Sequence, residues 1–210
     1  MRTEDLLVRI AADPPQPPLR PGRMLAQTAA AMAGCCLLFL AVMGTRDGLG
    51  TALSQPLVAV KSLLPLLVCL ACLPAALHGA RPEARPARPW VPLALAGAAG
   101  ALWLASYALR PPGARFADVS VPAVAECLGF ILALAALPLS LAIALLRRGA
   151  PTRPRAAGAL AGLAVAAGVA AGYSLYCTQD NPLFYLTWYG AAIGLAAAVG
   201  ALAGDRWLRW

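Results

Sequence analysis

The chain has 210 residues, of which 60 % are hydrophobic and only 12 % charged, and its formal net charge is +8. That balance lies outside the soluble range and places most of the chain in a bilayer. The positive charge does not mark a nucleic-acid binder, because no segment is left for a folded basic surface with stacking aromatics.

The first 23 residues divide in two. Leu6, Leu7 and Ile10 recur at helical spacing behind Thr3, Glu4 and Asp5, which suit a helix start through capping and the helix dipole. From Asp13 a run of prolines and polar residues ends that helix and continues extended. A free helix this short is unstable in water. It gains order on a partner protein or on the bilayer surface, or else it is a frayed tail. Nothing here resembles a signal peptide, so the first apolar run reads as a signal anchor.

Six apolar runs follow, at 24–43, 56–77, 90–109, 121–146, 156–175 and 183–203. Each can cross a hydrocarbon core of about 30 Å, which takes roughly 20 residues. The second contains Lys61, Pro65 and Pro74, and the third is rich in Ala and Gly, so their ends are softer. Pro138 removes one backbone hydrogen bond from the fourth and should bend it. In the last two runs Gly158, Gly162, Gly168 and Gly172 recur 32 residues later as Gly190, Gly194, Gly200 and Gly204. Each set falls on one helix face, where small residues let two backbones approach.

Orientation follows from the basic residues. With the N-terminus in the cytoplasm, only Arg46, Lys61, Arg110 and Arg115 of the 17 lysines and arginines fall outside. That is a strong positive-inside bias, and anionic lipid headgroups then account for the net charge. The expected fold is all-α: a polytopic membrane protein with six transmembrane helices in a compact bundle and both termini cytoplasmic. Residues 1–23 form a short tail with an amphipathic helix and a Pro-rich linker. Residues 24–204 form the membrane domain, and 205–210 a second cytoplasmic tail.

Little here suits catalysis. His78 is the only histidine, and nucleotide loops, paired His–Glu motifs and serine nucleophile motifs are missing from the sequence. No enzyme and no obligate cofactor are expected. Glu126 lies about one turn inside the outer end of the fourth run, where a carboxylate faces the bundle interior or a water-filled crevice. Cys35, Cys36, Cys69 and Cys72 fit as small hydrophobes of the core. Cys127 and Cys177 differ: the topology puts both at the outer edge, although fifty residues separate them. In an oxidising compartment they permit a disulfide if their Cα atoms come within about 7 Å. Soft thiolates permit instead a transient soft heavy-metal ion or reaction with an oxidant, with Glu126 or Asp180 as a further ligand. Plain packing remains the competing reading.

These residues carry a resemblance. The chain resembles the NrsF-type negative regulators of sigma-F, six-helix inner-membrane anti-sigma factors of Gram-negative bacteria that restrain an extracytoplasmic-function sigma factor. The resemblance runs the full length, from the opening MRTEDLLVRIAAD through Glu126–Cys127–Leu128 and Leu137–Pro138. Its most specific parts are RRGAPTRP from Arg147 to Pro154, YSLYCTQDNPLFYLTWYG from Tyr173 to Gly190, and the terminal Leu208–Arg209–Trp210. It implies that Cys127 and Cys177 are needed for response to heavy-metal or oxidative stress, with the sigma factor held on the cytoplasmic side until then. The family commonly has histidine before the second cysteine, where this chain has Tyr176. That change would weaken a metal site and spare a thiol or disulfide mechanism.

The partner contacts expected on this reading are Leu6, Leu7 and Ile10 as anchors, with Glu4, Asp5 and Asp13 giving complementary charge. Arg147, Arg148 and Arg153 flank the docking surface. A short amphipathic helix ordering in a partner's groove is the physical basis. Two other classes fit the composition: a small transporter or efflux component, argued from bent helices and Glu126, and a structural subunit of a larger membrane complex.

Overall fold

Five of the long helices begin on a proline at their first or second position. There the missing N–H costs nothing and the fixed φ is already helical. In the computed structural model, residues 3–12, 19–81, 90–117 and 119–209 are described. Their order is α1 (Thr3–Ala12), α2 (Pro21–Met43), the short α3 (Leu49–Leu53), α4 (Pro56–His78), α5 (Trp90–Leu109), a single 3-10 turn (Pro112–Ala114), α6 (Val121–Leu146), α7 (Pro154–Tyr173) and α8 (Pro182–Trp207). Six of these, α2, α4, α5, α6, α7 and α8, are long and apolar enough to cross a membrane. They are the six expected runs, with α7 starting two residues early and α8 running on to Trp207.

Helix α7 is the centre of the bundle. Its Ala161, Ala164, Val165, Ala166, Ala167, Val169 and Ala170 are completely buried, and α2, α4, α6 and α8 all pack against it. Small side chains make this possible, since four neighbours can close on a helix that projects little. Helix α5 is the opposite case. It buries none of its residues and lies at the periphery against α4 and α8. Trp103 ties it down by donating its indole N–H to the Thr187 hydroxyl at 3.0 Å.

The glycine pattern works over half its length. A Cβ on Gly158 would meet the Gly200 carbonyl oxygen, and one on Gly162 would meet that of Ala196. Gly204 is pressed in the same way against the Pro154 carbonyl. Gly168 and Gly172 instead receive the sulfurs of Met32, Cys69 and Cys36, whereas Gly190 and Gly194 face open space. Helices that cross at an angle keep backbone contact over only a few turns. Two four-glycine faces therefore cannot match end to end.

The two ends of the bundle differ. At one, Arg81 donates to the Leu19 carbonyl at 3.3 Å and the Ala150 N–H bonds the Ala80 carbonyl at 3.0 Å. This end gathers Arg147, Arg148 and Arg153, all exposed, beside the last turn of α8. The other end carries the segment between α7 and α8 that contains Cys177.

Candidate functional site

After Tyr173 the chain makes a turn through 174–176, with the Tyr176 and Cys177 N–H groups both bonded to the Tyr173 carbonyl at 3.0 and 3.1 Å. It then extends to Asn181, whose side-chain oxygen accepts the Leu183 N–H at 3.1 Å and caps α8. The amide nitrogen of the same side chain donates to the Arg115 carbonyl at 3.0 Å, holding the α5–α6 connection.

Asp180 is clamped between two cations. Arg46, just beyond α2, reaches both carboxylate oxygens, Nη1 to Oδ1 at 2.6 Å and Nη2 to Oδ2 at 2.8 Å. Lys61, in the second turn of α4, approaches Oδ1 at 3.3 Å and donates to the Cys177 carbonyl at 2.6 Å. The Arg46 main chain adds an N–H bond to the Leu175 carbonyl at 3.0 Å. The Lys61 side chain is fully buried, so it persists only because it is paired and hydrogen-bonded. Burial pushes the Asp180 carboxyl up, but the Arg46 hydrogen bond and the Lys61 and Arg46 charges outweigh it and hold it below the usual carboxylate value. The hydrogen bond to Asp180 correspondingly raises Arg46 above its ordinary value.

Under this clamp the structure brings Cys127 and Cys177 into one buried cluster with Phe39, Ile131, Phe184 and three tyrosines. Both are free thiols, 0 % and 5 % exposed. In the same cluster the buried Tyr189 hydroxyl has no hydrogen-bond partner among the described residues. A cavity of about 250 Å³ opens beside the cluster, lined by Thr45, Arg46, Glu126, Tyr173, Tyr176 and Cys177 among others. Glu126 thus faces a crevice, as its position in the sequence suggests. Solutes entering here meet Cys177; Cys127 is not among the residues of the lining.

The metal expectation fares worse. Asp180 has both oxygens turned to cations, so it is not a spare ligand. Among the described residues no group of three or more His, Cys, Asp or Glu is placed to hold a metal ion. The described residues do not make a closed soft-metal site. Three of the other cysteines lie in a separate cluster: Cys69 and Cys72 pack in the core with Met32, and Cys36 packs at its edge; Cys35 is half-buried outside it.

Arg46 and Lys61 count in the sequence only as charges on the outer side. Their role as clamps has one legible sign, a lone lysine within an apolar run. Glu4, Asp5 and Leu7 are exposed on α1. The side chains of Leu6 and Ile10 and the whole of Asp13 lie outside the described residues.

Six membrane-length apolar helices around a small-residue core, with an ion-paired Asp180 at one end and an arginine-rich loop at the other, define a multi-pass helical membrane protein. The comparisons agree. A family described as NrsF, negative regulator of sigma F, matches residues 10–210. The chain is 34 % identical over 224 residues to a probable anti-sigma-F factor of Azospira oryzae and 31 % identical over 214 residues to an anti-sigma-F factor of Caulobacter vibrioides. Each comparison covers 100 % of both chains. The chain belongs to this family, whose members are regulators and not enzymes. It is a multi-pass protein of the bacterial inner membrane. No solved structure matches it.

Proposed function

We propose that this chain is a membrane-bound anti-sigma factor that holds an extracytoplasmic-function sigma factor on the cytoplasmic side and releases it when Cys127 and Cys177, on the periplasmic side, are oxidised. The observation that carries the reading is the shared buried cluster of these two thiols, with Cys177 in the wall of a cavity. The arginine-rich loop lies at the far end of the bundle. The arginine bias supports placing that end in the cytoplasm, with both termini.

A peroxide entering the cavity would oxidise Cys177 first. The Cys177 sulfur attacks one peroxide oxygen, water leaves, and a sulfenic acid forms. The Cys127 thiol then displaces hydroxide from that sulfur, leaving a disulfide and a second water. The partner would be held by α1 through Leu6, Leu7 and Ile10, with Glu4, Asp5 and Asp13 facing basic groups and Arg147, Arg148 and Arg153 flanking the contact. The Pro-rich stretch would act as a spacer of about 3 Å per residue. The division into a tail to residue 23, a membrane domain to 204 and a short C-terminal tail belongs to the same proposal.

The test is Cys127→Ser and Cys177→Ser in a strain that reports transcription from a promoter served by the restrained sigma factor. Each variant should keep basal repression and lose induction by peroxide. Induction retained in both removes the sensing role.

A further inference from the structure

Lys61 is more than a counter-ion. Asp180 already receives a hydrogen bond on each oxygen from Arg46, and the Lys61 ammonium stands 3.3 Å from one of them. Its short bond, 2.6 Å, goes to the main-chain carbonyl of Cys177, the residue that carries the thiol. A lysine serving only the carboxylate would place its best bond there. This one is spent on the segment's backbone.

The helix that bears Lys61 also grips the other end of the bundle. Just past α4, the Ala80 carbonyl accepts the Ala150 N–H at 3.0 Å, and a Cβ on Gly149 would collide with Ala80. Arg81 reaches the Leu19 carbonyl at 3.3 Å, ahead of α2. One 23-residue helix therefore touches the main chain of the Cys177 segment near its start and the main chain of the arginine-rich loop just past its end. Between them it packs along α7. A rigid element bonded to both sites is one physical carrier of coupling between them.

We propose that Lys61 is the positioning residue of the cysteine site: it fixes the Cys177 main chain to α4, and α4 delivers a change at Cys177 to the Arg147–Arg153 loop. This rests on the sensing role proposed above.

The experiment uses the full-length protein in native membranes. Lys61→Met removes the 2.6 Å donor and leaves the Cys177 carbonyl only the longer 3.4 Å bond from Arg46, which still neutralises Asp180, and Lys61→Arg keeps a cation. Labelling of Cys177 by a membrane-impermeant maleimide, located by peptide mass, should speed up about tenfold in Lys61→Met, the shift that follows loss of one charged hydrogen bond. Lys61→Arg should bring the rate back toward that of the parent chain. In the reporter strain, Lys61→Met should keep basal repression and lose peroxide induction. Lys61→Gln, with a shorter side chain and a neutral donor, repeats both measurements should Lys61→Met be absent from the membrane fraction. Unchanged labelling overturns the proposal, and so does full peroxide induction in the variant. Failure of the sensing role itself looks different: Cys127→Ser and Cys177→Ser would still be induced, while the labelling rates of the parent and Lys61→Met would still differ.

Discussion

Arg46 and Asp180 lie 134 positions apart in the chain and meet through two parallel hydrogen bonds, at 2.6 and 2.8 Å. This fork joins the end of α2 to the segment before α8 and closes the cysteine end of the bundle. A bidentate guanidinium–carboxylate pair fixes orientation as well as distance. The pair is partly buried, with side-chain exposures of 12 % and 31 %, and its carboxylate also faces the buried Lys61. Removing one member therefore leaves charge stranded where water reaches poorly.

Asp180→Asn should be the most damaging single change at this end. It leaves Arg46 and the buried Lys61 without their anion, a loss of about 3–5 kcal/mol by comparison with broken buried pairs. Thermal unfolding in detergent, followed by tryptophan fluorescence, measures it. A midpoint equal to that of the parent chain would show that the clamp contributes nothing to stability.

Acidification should spare the clamp until well below neutrality. The folded Asp180 carboxyl is held below its usual 3.8. A group with a depressed folded pKa contributes stability that is fully present above the unfolded value and is lost as pH falls through the folded one. Between pH 5 and 7 the Asp180 contribution should be constant, and it should decline only below about pH 4. The difference in unfolding midpoint between parent and Asp180→Asn, measured across pH 3–7, should follow that course. A difference that already shrinks between pH 7 and 5 would contradict it.

The close approach of α7 and α8 should depend on particular glycines and not on glycine content. Gly158→Ala and Gly200→Ala each place a methyl against a carbonyl oxygen of the facing backbone, whereas Gly194→Ala meets nothing within 4 Å. The first two should destabilise by about 1–3 kcal/mol, the range for overpacking a tight contact. The third should be neutral. Comparable losses at all three positions would mean that the helices do not meet at Gly158 and Gly200.

How much of this could be read from residues alone depends on the kind of interaction. Spans such as Trp90–Leu109 and Val121–Leu146 appear in the sequence with their observed limits, because lipid demands long apolar runs. That Cys127 and Cys177 lie at the same end of the bundle follows from counting crossings, since an even number of spans separates like ends. The partners of Asp180 do not follow in that way. Arg46 and Lys61 reach it from other helices, and the choice among outer charges is made by tertiary packing, which no local spacing encodes. The same holds for Gly168 and Gly172, identical in pattern to Gly158 and Gly162 but filled by Met32, Cys69 and Cys36.

Topology is testable by fusion. If the arginine-rich end is cytoplasmic, alkaline phosphatase joined after Arg115 should be active, and the same enzyme joined after Arg153 or Arg209 should be inactive. Activity at the C-terminal fusion would invert the orientation and with it the assignment of the cysteine end to the periplasm.

The N-terminal helix offers the sharpest division between partner binding and membrane binding. Helix α1 forms over Thr3–Ala12 with Glu4 and Asp5 in its first turn, and its Leu7 is 60 % exposed. An exposed leucine on a ten-residue helix is unfavourable in water and favourable in an apolar groove or at the lipid surface. The acidic first turn argues for a basic protein partner, since anionic headgroups would repel it. Deleting residues 2–13 should therefore abolish capture of the restrained sigma factor while leaving the protein in the membrane fraction. Leu7→Glu should weaken capture by about tenfold or more, as expected for loss of a buried anchor. Vesicles containing anionic lipid should bind a peptide of residues 1–13 no better than neutral vesicles do. Undiminished capture by the truncated protein would transfer the contact to the loop carrying Arg147, Arg148 and Arg153, whose exposed guanidinium groups would then require an acidic surface on the partner.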